Sequence, residues 1–111
     1  MAKVYYEKLA QLISALDIQN EVSAELEIKH FFSGAALYAN NAICASWSPV
    51  GLAFKLTETE LKQLLSSGNA VPLKYFDRGH IKEGYALFEK PESSGMTRWK
   101  VYFLKAIAQV V

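Results

Sequence analysis

The chain has 111 residues, of which 51% are hydrophobic and 21% charged, and its formal net charge is +1. A chain of this length fits one domain and can bury enough core to fold without disulfides or a structural metal. The apolar content argues against intrinsic disorder. The near-zero net charge weakens the case for a nucleic-acid binder, because such domains are typically basic. We therefore expect one globular domain, residues 1–111.

The cysteine count and the N-terminal segment bear on the compartment. Cys44 is the only cysteine, so an intramolecular disulfide and a cysteine-rich zinc site are excluded. The segment Met1–Lys8 carries charges before any long apolar run, unlike a signal peptide. No stretch approaches the roughly 18 uncharged apolar residues of a membrane span. These features predict a cytoplasmic protein with no membrane segment.

The first half of the chain predicts one helix followed by four short strands. Apolar residues recur at steps of three and four from about Ala2 to Asp17, which places them on one helical face. From Glu25 to Phe32 the period is two, as in a strand with one inward and one outward face. Turn-forming residues separate three further strands, predicted at 35–39, 42–47 and 51–56.

The second half predicts a capped helix, two strands and a final helix. Thr57 and Glu60 fit a capping box, and the helix that they start should end near Gly68. Strands are predicted at 71–76 and 81–88, and a helix at 97–110. The order α-β-β-β-β-α-β-β-α, with tight turns, predicts a two-layer α+β domain in which three helices lie beside an antiparallel sheet of five to six strands.

No group of residues in the sequence has the spacing of a catalytic or metal site. His30 falls in a strand register that predicts a half-buried imidazole, and His80 lies in a distant turn. Cys44 alternates with apolar neighbours, which predicts a buried side chain rather than a nucleophile. The carboxylate pairs Glu25/Glu27 and Glu58/Glu60 fit a solvated strand face and a helix start. We therefore predict no enzyme, no metal site and no cofactor.

Basic residues close to aromatic ones are the only sign of nucleic-acid binding. The segment 74–78 has the mixture that RNA-binding sheets display, and the last helix carries Arg98, Lys100 and Lys105. Eleven acidic residues offset twelve basic ones, so phosphate affinity should be weak and salt-dependent. Solvated or snorkelling side chains explain the pattern more simply, and direct nucleic-acid binding is not expected.

Five short motifs lie at residues 31–38, 42–45, 52–55, 68–73 and 84–92. Together they resemble the N-terminal domain of the TfoX family, bacterial proteins named for the regulation of natural DNA competence. The stretch 31–38, Phe-Phe-Ser-Gly-Ala-Ala-Leu-Tyr, looks like the family's methionine-phenylalanine-glycine-glycine turn and its tyrosine-ended strand. Ala42–Ala45 and Leu52–Lys55 are similar to the next two strands. The stretch 68–73 looks like the glycine and proline before the following strand, and 84–92 resembles a tyrosine-rich strand ending in proline-glutamate.

The resemblance extends over almost the whole chain, with two departures in its first motif. Phe31 stands where the family has methionine, and Ser33 stands where it has the first glycine. The resemblance implies a regulatory role and supplies no catalytic residues. Full-length relatives often have a second, C-terminal domain with helix-hairpin-helix character, which is not part of this chain. DNA contact by that route is therefore not expected.

Together these observations predict a small regulatory or adaptor domain that acts through protein–protein contacts. The protein partner is unidentified, and a homodimer is left open. Aromatic anchors dominate interface energies, so Phe31, Trp47 and Tyr75 are candidate interaction residues, although packing within the fold is the simpler explanation for each. The alternatives are a nucleic-acid-associated regulator, or a small metabolite-binding domain or enzyme with a deep polar pocket.

Overall fold

Four helices and six strands lie within residues 2–31, 34–74, 82–91 and 96–111, the part of the chain that the computed structural model describes. In chain order the elements are α1 (Ala2–Ala15), α2 (Ile18–Glu21), β1 (Leu26–Phe31), β2 (Gly34–Ala39), β3 (Ala42–Ser48), β4 (Gly51–Lys55), α3 (Glu58–Ser67), β5 (Val71–Leu73), β6 (Lys82–Phe88) and α4 (Met96–Val110). The strands form one antiparallel sheet in the order β1-β2-β3-β4-β6-β5. The predicted α+β class and antiparallel sheet are confirmed.

The element order differs from the prediction by one short helix. The predicted first helix reached Asp17, but α1 ends at Ala15 and Asp17 adopts a left-handed conformation with φ of 56°. Aspartate tolerates this region better than most residues, so the chain reverses there and begins α2. Ile18, the first residue of α2, is fully buried, which holds the short helix against the core.

The fifth strand is shorter than predicted. The spacing of apolar residues predicted a strand over 71–76, whereas β5 ends at Leu73 after a register irregularity between Pro72 and Leu73. Proline has no amide hydrogen, so it interrupts regular pairing within a strand. The remainder of that prediction, from Tyr75 onward, lies outside the described residues.

The β2–β3 hairpin closes through two asparagines, as predicted. Asn40 and Asn41 have φ values of 49° and 70°, which a two-residue hairpin turn of the right twist requires. The Asn40 amide donates to the Glu25 carbonyl at 2.9 Å, and the Asn40 side-chain oxygen accepts from the Glu25 amide at 2.9 Å. The hairpin turn therefore also fixes where β1 begins to pair with β2.

The main core lies between one face of the sheet and helices α1 and α4. Phe54 of β4 is fully buried, and its ring centroid lies 4.9 Å from that of Phe103, 5.9 Å from Trp99 and 6.1 Å from Phe88. These contacts join α4 to β4 and β6. A smaller cluster lies on the opposite face of the sheet and contains Ala53, Leu73, Tyr85 and Leu87.

Helix α3 has the predicted caps at both ends. The Thr57 hydroxyl oxygen accepts from the Glu60 amide at 3.3 Å, and the same hydroxyl donates to the Glu60 carboxylate at 3.1 Å. At the other end Gly68 adopts φ of 78°, and its amide donates to carbonyls of the last turn. The helix therefore begins and ends where the sequence predicts.

Gly34, the glycine in the motif that resembles the TfoX family, lies where a side chain does not fit. A Cβ atom at this position would overlap the Trp47 carbonyl oxygen and would lie 2.7 Å from the Ser48 Cα atom. Both are backbone neighbours, which cannot rotate away. The requirement for glycine here is therefore steric.

We expect Gly34→Ala to lower the free energy of unfolding by about 1–3 kcal/mol, the usual cost of overpacking. Gly68→Ala is a useful contrast, because open space surrounds Gly68 and only its left-handed conformation resists a side chain. That cost should be about 1 kcal/mol. Urea unfolding of the three proteins measures both values, and wild-type stability of Gly34→Ala would contradict the steric explanation.

Candidate interaction surface

Strand β1 lies at one end of the sheet and pairs with β2 alone among the described elements. The amide and carbonyl of Glu25 both point toward Asn40 at the end of β2. Because successive residues of a strand direct their peptide groups to opposite edges, Glu27 and Lys29 also point theirs toward β2. The peptide groups of Leu26, Ile28 and His30 therefore point outward. We call these outward groups the β1 edge.

One described contact touches the β1 edge, and it agrees with this assignment. The Leu26 amide donates to the Gln19 side-chain oxygen at 3.4 Å, from the side opposite β2. The Gln19 side-chain nitrogen donates in turn to the Ala24 carbonyl at 3.0 Å. The other outward amides, of Ile28 and His30, have no hydrogen-bond acceptor among the described residues. A row of such groups is a template for pairing with another strand.

The two faces of β1 differ in chemistry. On the face away from α1, Lys29 lies 3.8 Å from the Glu27 carboxylate and 4.8 Å from the centre of the Tyr38 ring. The Lys29 and Glu27 side chains are 48% and 56% exposed. On the face toward α1, Ile28 is half-buried and the His30 ring stacks on Tyr6 with centroids 5.0 Å apart. One face of β1 therefore carries the opposite charges of Glu27 and Lys29, and the face toward α1 carries Ile28 and the stacked rings of His30 and Tyr6.

Of the three predicted interaction residues, the structure describes the side chain of Trp47 alone. Trp47 is 8% exposed and packs within the core, with the Lys8 ammonium 5.5 Å from its ring centroid. Phe31 is the last residue of β1, and its side chain lies outside what the structure describes. Tyr75 also lies outside the described residues. The general weight of aromatic anchors in interfaces had pointed to these three side chains. The outward backbone groups of Ile28 and His30 were not predicted from the sequence.

The predicted environment of His30 is wrong. The strand period placed the imidazole on the inward face, where a half-buried ring was expected, but His30 is exposed. The reason is the position of β1 at the end of the sheet, where Tyr6 of α1 stacks on the ring but does not bury it. His80 lies outside the described residues.

Cys44 is buried at a bulge in β3. Leu37 of β2 is opposite Ala45 and Tyr38 is opposite Ile43, so Cys44 is the extra residue between them. Its sulfur lies 3.5 Å from the Leu37 carbonyl oxygen. Burial raises the pKa of the Cys44 thiol to about 12, and the positive charge of Lys55 lowers it by less. The thiol is therefore neutral at physiological pH and poorly suited to act as a nucleophile.

A cleft of about 320 Å³ lies between α3 and α4. Its charged groups are Glu60 and Lys105, which form an ion pair with each other. The pKa of the Glu60 carboxyl is lowered mainly by its hydrogen bond to Lys105, with a smaller lowering from Thr57. Because these charges neutralise one another, the cleft offers a small molecule no free charge of either sign among the described residues.

A smaller cleft of about 140 Å³ lies beside the start of β1 and is lined by Glu25, Glu27, Asn40 and Asn41. The Asn40 side-chain oxygen is already engaged by the Glu25 amide. Within the described residues, no group of three or more histidine, cysteine, aspartate or glutamate side chains is arranged to hold a metal ion. Of the described surfaces, the β1 edge is therefore the strongest candidate for an interaction site.

The fold and this surface define an α+β domain with a single antiparallel sheet, in which β1 is one of the two edge strands of the described sheet. Comparison of the chain with protein-family models, with curated proteins and with solved structures finds no match. Among the helices that the structure describes, none combines the length and the apolar character needed to cross a membrane.

The buried thiol predicts a pH dependence of stability. An unfolded Cys44 ionises near its ordinary pKa of 9.0, whereas the folded thiol stays neutral to about pH 12. Ionisation of the unfolded chain alone therefore removes stability as pH rises from about 9 to 12. Between pH 8 and 10 the wild type should lose about 1 kcal/mol more free energy of unfolding than Cys44→Ala. Urea unfolding at both pH values tests this, and equal losses would contradict it.

Proposed function

We propose that the protein is a small regulatory or adaptor domain of the TfoX N-terminal type, which acts through protein–protein contacts at the β1 edge. The observation that carries the proposal is the row of outward peptide groups centred on Ile28, in which the Ile28 and His30 amides have no hydrogen-bond acceptor among the described residues. Addition of a strand to an open edge is a recurrent mode of protein recognition, because the backbone supplies affinity and alternate side chains supply specificity.

The residues that carry the family resemblance support this proposal by their positions. Gly34–Ala39 forms β2, while Ala42–Ala45 and Leu52–Lys55 lie on β3 and β4. These strands lie together in the sheet, and β2 holds β1 in place. Regulation of natural DNA competence in a bacterial cytoplasm is the role that the resemblance implies. In that role the sheet is the scaffold and β1 is the contact element.

The basic side chains of α4 favour a protein partner over a nucleic acid. The Arg98 guanidinium lies 4.8 Å from the centre of the Phe88 ring and 5.0 Å from that of Trp99. Lys100 lies 3.4 Å from the Glu21 carboxylate, and Lys105 pairs with Glu60. Phosphate binding would compete with these contacts, so α4 is a weak platform for a nucleic acid.

Photocrosslinking in bacterial cells tests the proposal. A photoreactive benzoylphenylalanine at position 30, an exposed position of β1, should form covalent adducts with protein, either this chain or another. The same residue at position 66, exposed on α3, is the matched surface control. Adducts from position 30 should resist nuclease treatment, and adducts from position 66 should be weaker by about tenfold.

A second substitution shows whether the adducts depend on the edge. Ile28→Pro removes the outward amide, and an edge strand tolerates proline where that amide does not pair within the sheet. Ile28→Ala shortens the same side chain and keeps the amide. Adducts from position 30 should be lost with Ile28→Pro and kept with Ile28→Ala. Equal adducts in both variants, or none in the unsubstituted background, would contradict a protein contact at β1.

A further inference from the structure

We propose that the partner of the β1 edge is the β1 edge of a second copy of this chain, paired antiparallel about a two-fold axis at Ile28. The inference rests on the proposed function, because it names the partner of the same surface. It follows from which peptide groups point outward and from the charges beside them.

The outward peptide groups allow only a few symmetric registers. In an antiparallel pair, the residues that exchange both backbone bonds lie directly opposite each other. Leu26, Ile28 and His30 supply the outward groups, so a register that forms at least two hydrogen-bonded pairs among them has its two-fold axis at residue 27, 28 or 29. An axis at Glu27 places Glu27 opposite itself, and an axis at Lys29 places Lys29 opposite itself. Like charges directly opposite are destabilising.

The axis at Ile28 replaces that repulsion with attraction. Glu27 of each copy then lies opposite Lys29 of the other copy, at the positions where side chains approach most closely. Ile28 of one copy lies opposite Ile28 of the other, and Leu26 lies opposite His30. The same Glu27-Ile28-Lys29 sequence thus complements itself when reversed. Of the three registers, this is the only one in which neither Glu27 nor Lys29 lies opposite its own copy.

The backbone and the apolar face also fit this register. The central Ile28 pair can form two hydrogen bonds, and each flanking pair of Leu26 with His30 can form two more. Gln19 would have to release the Leu26 amide, and its present bond of 3.4 Å is longer than the usual range. On the face toward α1, the half-buried Ile28 would gain an apolar neighbour from the other copy.

The position of α1 leaves room for the second copy. Helix α1 packs over β1, β2 and β3, so its axis lies near β2. Between β2 of one copy and β2 of the other lie three strand spacings, about 14 Å at roughly 4.8 Å each. Two helices with side chains need about 10–12 Å between axes. The two α1 helices can therefore lie side by side while a continuous sheet forms beneath them.

Sedimentation velocity of the purified chain over a concentration series tests the inference through charge reversal. The wild type should show a monomer–dimer equilibrium. E27K and K29E each place like charges opposite one another twice, so each should weaken the dimer about tenfold or more. The double variant E27K/K29E restores every pair and should associate within about threefold of the wild type. An equimolar mixture of the two single variants should also associate.

The outcomes separate this inference from the proposed function. A wild type that stays monomeric up to roughly 1 mM overturns the inference. A dimer insensitive to charge reversal and to Ile28→Pro uses another surface and overturns it as well. In either case, adducts from position 30 to a different protein would leave the proposed function standing. Absence of both self-association and edge-dependent adducts would overturn the two proposals together.

Discussion

The two hydrogen bonds between Glu25 and Asn40, one to the Asn40 side chain and one from its amide, set the register in which β1 joins the sheet, and much of the molecule depends on them. Asn40 can serve both as a turn residue and as a partner of Glu25 because its φ of 49° turns the chain while its side chain reaches back. A slip of one residue would turn every β1 side chain to the other face. It would place charges against α1 and turn Ile28 to solvent.

The sheet is held at its other end by a different kind of contact. Aromatic rings of α4 surround Phe54 and Phe88, so β4 and β6 are covered by a large, interlocked apolar surface. Helix α1 covers the β1 side, where the ring contact among the described residues is the stack of Tyr6 on His30. Among the described residues, aromatic packing is therefore densest around β4, and the outward peptide groups of β1 lie at the other end of the sheet.

Local sequence patterns predicted most of this fold, because strand alternation, the asparagine turn and the Thr57 cap each depend only on residues that are close together in the sequence. Helix α2 was missed since four residues are too few to show a helical period. The interaction surface could not be predicted, because the end position of β1 follows from the order of all six strands. The sequence does show opposite charges, Glu27 and Lys29, on either side of Ile28. Their relevance to pairing follows only from the position of β1 at the edge of the sheet.

Residue-resolved hydrogen exchange of the whole chain, measured over a range of protein concentrations, tests the central claim most directly. The amides of Glu27 and Lys29 point toward β2 and should exchange slowly at every concentration. The amides of Ile28 and His30 point outward and should exchange rapidly in dilute solution, then slowly as concentration rises. An Ile28 amide that exchanges rapidly at every concentration would contradict self-pairing of β1.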